Sequence, residues 1–178
     1  PTGWKKDEPC WTAEPPQDGW ALTPGDLEDG TLGQNYLDQT DHLVAKLKSD
    51  LYKGLPLPPE YERAIAEYER ERPILLPLAE SNEEIKWKQA AKRLSTLSIT
   101  ELLRPSVSEL CQDLFSERIL TGKYLLPSTY SQTRSLSRDG DLVSVGYFGA
   151  GGVFGGGWEP ANTNDYVGAL FSRLCVRV

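Results

Sequence analysis

Apolar positions recur at helical intervals through the first two-thirds of the chain and lose that rhythm in the last third. From about Gln34 to Lys53, the residues Leu43, Val44, Leu47 and Leu51 share one side of a predicted helix, which Gly54 and Pro56 stop. Pro58 and Pro59 open a second, with Tyr61, Ile65 and Tyr68 on one face and an end expected before Pro73, because the residue preceding a proline is driven out of helical geometry. The charges from Glu60 to Arg72 lie opposite that face and read as a solvated surface laced with pairs four residues apart. Ser81 with Glu84, Ser98 with Glu101 and Ser106 with Glu109 each fit a capping box, in which hydroxyl and carboxylate satisfy the first turn reciprocally. They predict three more helices, with Ile85, Ala91 and Leu94, then Leu102, then Leu110, Leu114 and Phe115, as apolar positions. Cys111 falls on the apolar side of the last and reads as a small core residue.

Two segments carry other patterns. Residues 1–33 hold recurrent Pro and Gly, and Trp4, Trp11 and Trp20 are spaced too irregularly for one helix face, so they read as a loop-like wrap stapled down by indoles. Beyond Lys123, alternating or β-branched stretches such as Leu142 to Val145 and Arg173 to Val178 predict strands, with Asp139, Gly140 and Asp141 as a hairpin turn. The expected organisation is a wrap over 1–33, a helical support over 34–104 and a binding region over 105–178, with one compact domain as the alternative. The class is α+β.

Charge sharpens this division. The chain has 178 residues and net charge −7. Every lysine and the whole of that negative charge lie in 1–123, whereas 124–178 is neutral, lysine-free and holds nine of the sixteen glycines. An acidic protein lacks the basic footprint that neutralising phosphates requires, which argues against nucleic acid as partner. No apolar run is long enough to span a membrane, so no membrane insertion is expected. Three scattered cysteines and one histidine, His42, offer neither a disulfide framework nor zinc-ligand spacing. No charged-then-apolar leader opens the chain, and a start at Pro1 with no Met leaves location unread.

The order of short motifs after Tyr124 is the most specific signal. Leu126-Pro127-Ser128, then Thr133-Arg134-Ser135, then Val145 to Phe148, then Cys175-Val176-Arg177 resembles the C-type lectin-like domains of the formylglycine-generating-enzyme-like branch, over about the last 55 to 75 residues. One departure stands out: Gln132 occupies the place where that pattern has a packed Trp. The tail is also similar to the variable proteins of diversity-generating retroelements, in which this fold presents a C-terminal tract randomised at template adenines. Lysine codons are excluded from that tract because changing their first adenine can create stops, and the lack of Lys after Lys123 agrees.

The resemblance implies a ligand-binding surface, and the composition of the tail points the same way. Between Gly146 and Ser172 stand Tyr147, Phe148, Phe154, Trp158, Asn162, Asn164, Asp165, Tyr166 and Phe171 among glycines. Large rings supply contact area at low rotamer cost and small polar groups supply adaptable hydrogen bonds, as in antibody paratopes. These residues, with Ser172, are the candidate ligand-binding set, and a protein or glycan on another cell or particle is the expected partner. The competing reading puts some rings, above all Tyr147, Phe148 and Phe154, in the core of a small β domain, whereas Trp158 and Tyr166 follow loop-like sequence and are expected to be exposed. Gly149 to Gly157 lacks a phosphate-binding pattern and reads as turn-forming. Glu159, Asn162, Asn164 and Asp165 supply oxygen ligands of the kind calcium takes but only loosely match a lectin signature, so no metal and no cofactor is expected. No activated nucleophile or matched acid–base pair is legible, and no enzymatic activity is expected. Two rival roles are a phage or cell-surface assembly subunit and a calcium-dependent carbohydrate-binding lectin.

Overall fold

A computed structural model describes residues 25–171. The trends expected for residues 1–24, including Trp4, Trp11 and Trp20, and for 172–178, including Ser172 and the terminal strand, lie outside the described residues. Helices come first: α1 (Tyr36–Lys46), running into a wider π turn (Leu47–Leu51), α2 (Pro59–Ala79), α3 (Glu84–Ser95), α4 (Ser98–Leu103) and α5 (Val107–Thr121). A sheet of β1 (Tyr130–Leu136), β2 (Leu142–Gly149), β3 (Gly152–Trp158) and β4 (Val167–Gly168) follows, in the order β3-β2-β1-β4. The β1–β2 and β2–β3 pairs are antiparallel, and β4 runs parallel to β1. The architecture is α+β, and no helix among the described residues is long and apolar enough to cross a membrane.

Several expected helix ends move. Proline did not stop α2 at Arg72: the helix continues through Pro73 and Pro77 to Ala79. Each proline forfeits one backbone bond, but Leu75 and Ala79 beyond it are buried. Arg72 is also fixed, donating to Asp41 of α1 at 2.7 Å and to Asp38 at 3.1 Å. Glu60, Glu62, Arg63, Glu69 and Arg70 form the solvated face expected of α2, whereas Arg72 ties it to α1. On the other side Arg93 of α3 reaches back to Glu67 and Glu71 at 2.9 and 3.1 Å.

Of the three capping boxes, only Ser106 with Glu109 forms both reciprocal bonds. Ser81 instead accepts from the Glu83 amide before α3 begins, and α4 has the Glu67 carboxylate accepting from the Ser98 amide at 3.1 Å. Ile85, Phe115 and Leu51, placed on apolar faces by periodicity, are exposed.

Two cores result. The first joins Leu37 and Leu43 of α1 and Leu47 of the π turn to α2, α3 and α4, and takes in Leu142 of β2 and Ala169. The second packs Val107, Leu110 and Leu114 of α5 against Val143, Val145 and Phe148 of β2, with Cys111 partly buried at its border. The strand alternation thus sends successive β2 side chains into different cores.

Gln132, the departure noted in the sequence, is completely buried. It pairs across the strands with Ser144, and neither its amide nor the Ser144 hydroxyl has a hydrogen-bond partner among the described residues. An unpartnered buried amide costs about 1–3 kcal/mol. Gln132→Met, which keeps the shape, should therefore raise stability by roughly that amount, measured as a higher urea midpoint with unchanged slope.

Burial also holds the phenols of Tyr36 and Tyr68 above the ordinary tyrosine range. The folded state keeps these protons where the unfolded chain releases them, so their contribution is intact below about pH 10 and declines as pH rises above it. Urea midpoints measured at pH 8 and pH 11 (roughly bracketing the free phenol) should fall more than in the Tyr68→Phe variant.

Candidate functional site

The backbone at the end of β2 decides which rings face solvent. Val143 and Val145 point into the second core, so simple alternation would send Tyr147 after them and Phe148 to the opposite face, that of Leu142 and Ser144. The structure does the reverse. The β2–β3 register shifts between Gly146 and Gly149, so Tyr147 and Phe148 together oppose Val153. At this bulge Tyr147 takes φ +45°, a left-handed conformation that is a genuine outlier for a bulky residue. Phe148 is thereby 3% exposed, meeting Phe115 and Tyr124 edge-on at 5.2 and 4.9 Å, whereas Tyr147 is 42% exposed.

The strain is held from the segment before β1. The Tyr147 amide donates to the Thr129 carbonyl at 2.9 Å and the Phe148 amide to that of Leu126 at 3.1 Å, and Leu126 is itself left-handed. Gly146 permits this approach: a Cβ there would lie 2.0 Å from the Thr129 oxygen. Two left-handed residues and one obligatory glycine thus lock the two segments face to face.

Tyr147 meets two other tyrosines. Its ring centroid is 4.9 Å from that of Tyr130, at the start of β1, and 6.4 Å from that of Tyr166, which also lies 6.4 Å from Tyr130. Tyr166 is 44% exposed. It is positioned by the loop after β3, where the Asn164 side chain accepts from the Tyr166 amide and the Tyr166 carbonyl accepts from the Tyr130 amide at 2.8 Å. Burial pushes the Tyr130 phenol up, and the neighbouring Tyr147 and Tyr166 push it the same way. Phe154 of β3, the cross-strand partner of Gly146, is exposed beside this cluster.

The predicted set therefore divides. Tyr147, Phe154 and Tyr166 lie at the surface around the bulge, with Asp165 exposed next to Tyr166 and Asn162 exposed further along the same loop. Phe148 belongs to the second core and Phe171 packs against the first, because the bulge turns one inward and the neighbouring Leu170 and Ala169 are themselves core. Trp158, expected in an exposed loop, ends β3 half-buried with its Nε1 sealed and without a hydrogen-bond partner among the described residues. Asn164 is structural: its carbonyl accepts from Gly33 and Val167, and its side chain from Tyr166. Tyr130 was missed by sequence reasoning. The Leu126-Pro127-Ser128 turn just before it marks where β1 must start, and a ring at a strand start beside a turn is placed to be seen.

No family model, curated protein or solved structure matches this chain. What the arrangement can do follows from its own chemistry. It offers four rings, three phenol hydroxyls, one carboxylate and an amide on rigid backbone, a composition suited to gripping another surface. The hairpin predicted at Asp139 to Asp141 is present. Ser137 donates its amide to the Asp141 carbonyl at 2.9 Å, and Gly140 turns at φ +90°. Burial raises the Asp141 carboxyl, and Lys88 opposes that rise.

Gly146→Ala should lower stability by about 3 kcal/mol or more, as overpacking against backbone does. Tyr147→Asn, whose side chain tolerates left-handed backbone, should stay within about 1 kcal/mol of the parent. Thermal unfolding of the two variants checks the pair.

Proposed function

We propose that this protein is a ligand-binding variable protein of a diversity-generating retroelement, whose C-type lectin-like C-terminal region displays a hypervariable surface to protein or glycan targets. One observation carries the reading: Tyr147, Tyr166 and Phe154 are each more than two-fifths exposed on a strand-and-loop frame whose own backbone bonds hold it. Water-exposed rings of this size, clustered and not scattered, are what a recognition patch looks like. The lysine-free, glycine-rich composition from Tyr124 onward supports the same reading, as does the order of its motifs. Recognition here needs no chemistry on the target. Rings insert into the partner while Asp165 and Asn162 complete polar contacts at the rim.

The frame and the displayed side chains are separable in this reading, which makes it testable. A display library randomised at Tyr147, Phe154, Asn162, Asp165 and Tyr166 should retain protease resistance in most members and yield binders to an immobilised reference protein or a glycan panel. Phe148→Ala, by contrast, should lose about 3–5 kcal/mol. Collapse of most library members, or no enrichment on any target, overturns the binding-surface reading. A near-copy of the last hundred or so bases beside the gene, differing chiefly at adenines, is the sequence observation expected of a retroelement.

A further inference from the structure

The exposed rings lie in the part of the chain poorest in cations. From Asp139 to Phe171 there is no Lys, Arg or His; of the acids in that stretch Asp165 adjoins the rings, whereas the β2–β3 register puts Asp139, Asp141 and Glu159 at the far end of the hairpin. Three rings elsewhere carry a cation: Arg118 stands 4.4 Å over Tyr124, Lys88 5.3 Å over Trp87 and Arg104 3.8 Å over Tyr36. Tyr130, Tyr147 and Tyr166 pack instead on one another. Their faces carry the negative end of the ring quadrupole, and the exposed Asp165 carboxylate directly precedes Tyr166.

We propose that this face takes a basic protein segment, with arginine side chains of the partner stacking on Tyr147 and Tyr166 and donating to Asp165. The inference deepens the binding-surface reading and rests on it. Charge complementarity selects the partner. A segment rich in acids would meet the Asp165 carboxylate with no cation between Asp139 and Phe171 to receive it, and a neutral glycan would leave the Asp165 charge unanswered. Arginine is favoured over lysine because its planar, weakly hydrated guanidinium stacks on a ring while still offering a two-pronged donor to a carboxylate.

The test uses the full chain and a short capped Gly-Ser peptide bearing two arginines, with its citrulline and lysine counterparts, titrated calorimetrically at low and at physiological ionic strength. The arginine peptide should bind, the lysine peptide more weakly, and the citrulline peptide not measurably. Tyr147→Ala and Tyr166→Ala should each weaken arginine-peptide binding about tenfold without loss of thermal stability. Asp165→Asn should weaken it about threefold, and Glu62→Gln, an exposed acid on α2, should leave it unchanged. Failure of the arginine peptide to bind, equal binding of the citrulline form, or binding indifferent to both tyrosines overturns the inference. Such a result with target binders still emerging from the display library leaves the binding surface standing and removes only its basic partner, whereas a library that fails removes both.

Discussion

A guanidinium buried with no carboxylate paired to it among the described residues holds the two parts of this protein together. Arg104 is completely buried, and its bonds go to neutral oxygens: the Gln39 side chain at 3.2 Å, the Tyr36 carbonyl at 3.1 Å and the Thr40 hydroxyl at 3.1 Å. The Tyr36 ring covers it, and burial pulls its pKa down from the ordinary arginine value. Taking a cation from water is expensive, and hydrogen bonds and a ring face are what offset that cost here. The same groups reach further. Tyr36 donates its hydroxyl to the Thr133 carbonyl of β1 and its amide to Pro160, and Gln39 donates to Gln34 and, at 3.4 Å, to Val167. The first turns of α1 are thereby fixed to the sheet and to the loop that carries Tyr166.

Strain at the other end of the sheet does complementary work. An ordinary β2 would send Tyr147 into the second core and Phe148 to the opposite face of the strand. One left-handed residue reverses their assignment, at a cost of about 1–2 kcal/mol, and backbone bonds from Thr129 and Leu126 keep it there. The surface thus gains a ring from a strand position that alternation assigns to the interior, and the second core gains Phe148.

How much of this the sequence disclosed depends on the range of the interactions. Helix positions, the Ser106 cap and the Asp139 to Asp141 hairpin were legible because each is decided within a few residues. The passage of α2 through two prolines was not, since it depends on Asp38 and Asp41 more than thirty residues earlier, and the start of α4 depends on Glu67 in another helix. The candidate surface was half legible. Composition singled out the tail and named Tyr147, Phe154 and Tyr166, but which of two adjacent rings faces out is set by register against β3 and by contacts from Leu126 to Thr129. Tyr130 joined the cluster only through strand pairing, and Phe171 left it for the first core.

The tyrosine cluster straddles a seam. Tyr130 and Tyr147 belong to the antiparallel strands, whereas Tyr166 hangs on a loop that is bonded to Gly33 and, through Pro160, to the first turn of α1. A molecule that touched all three rings would brace the helical core against the sheet as a rivet does two plates. By mass action, whatever occupies the folded form and not the unfolded one adds its binding free energy to resistance against melting, and at this junction that gain would be shared by both cores at once.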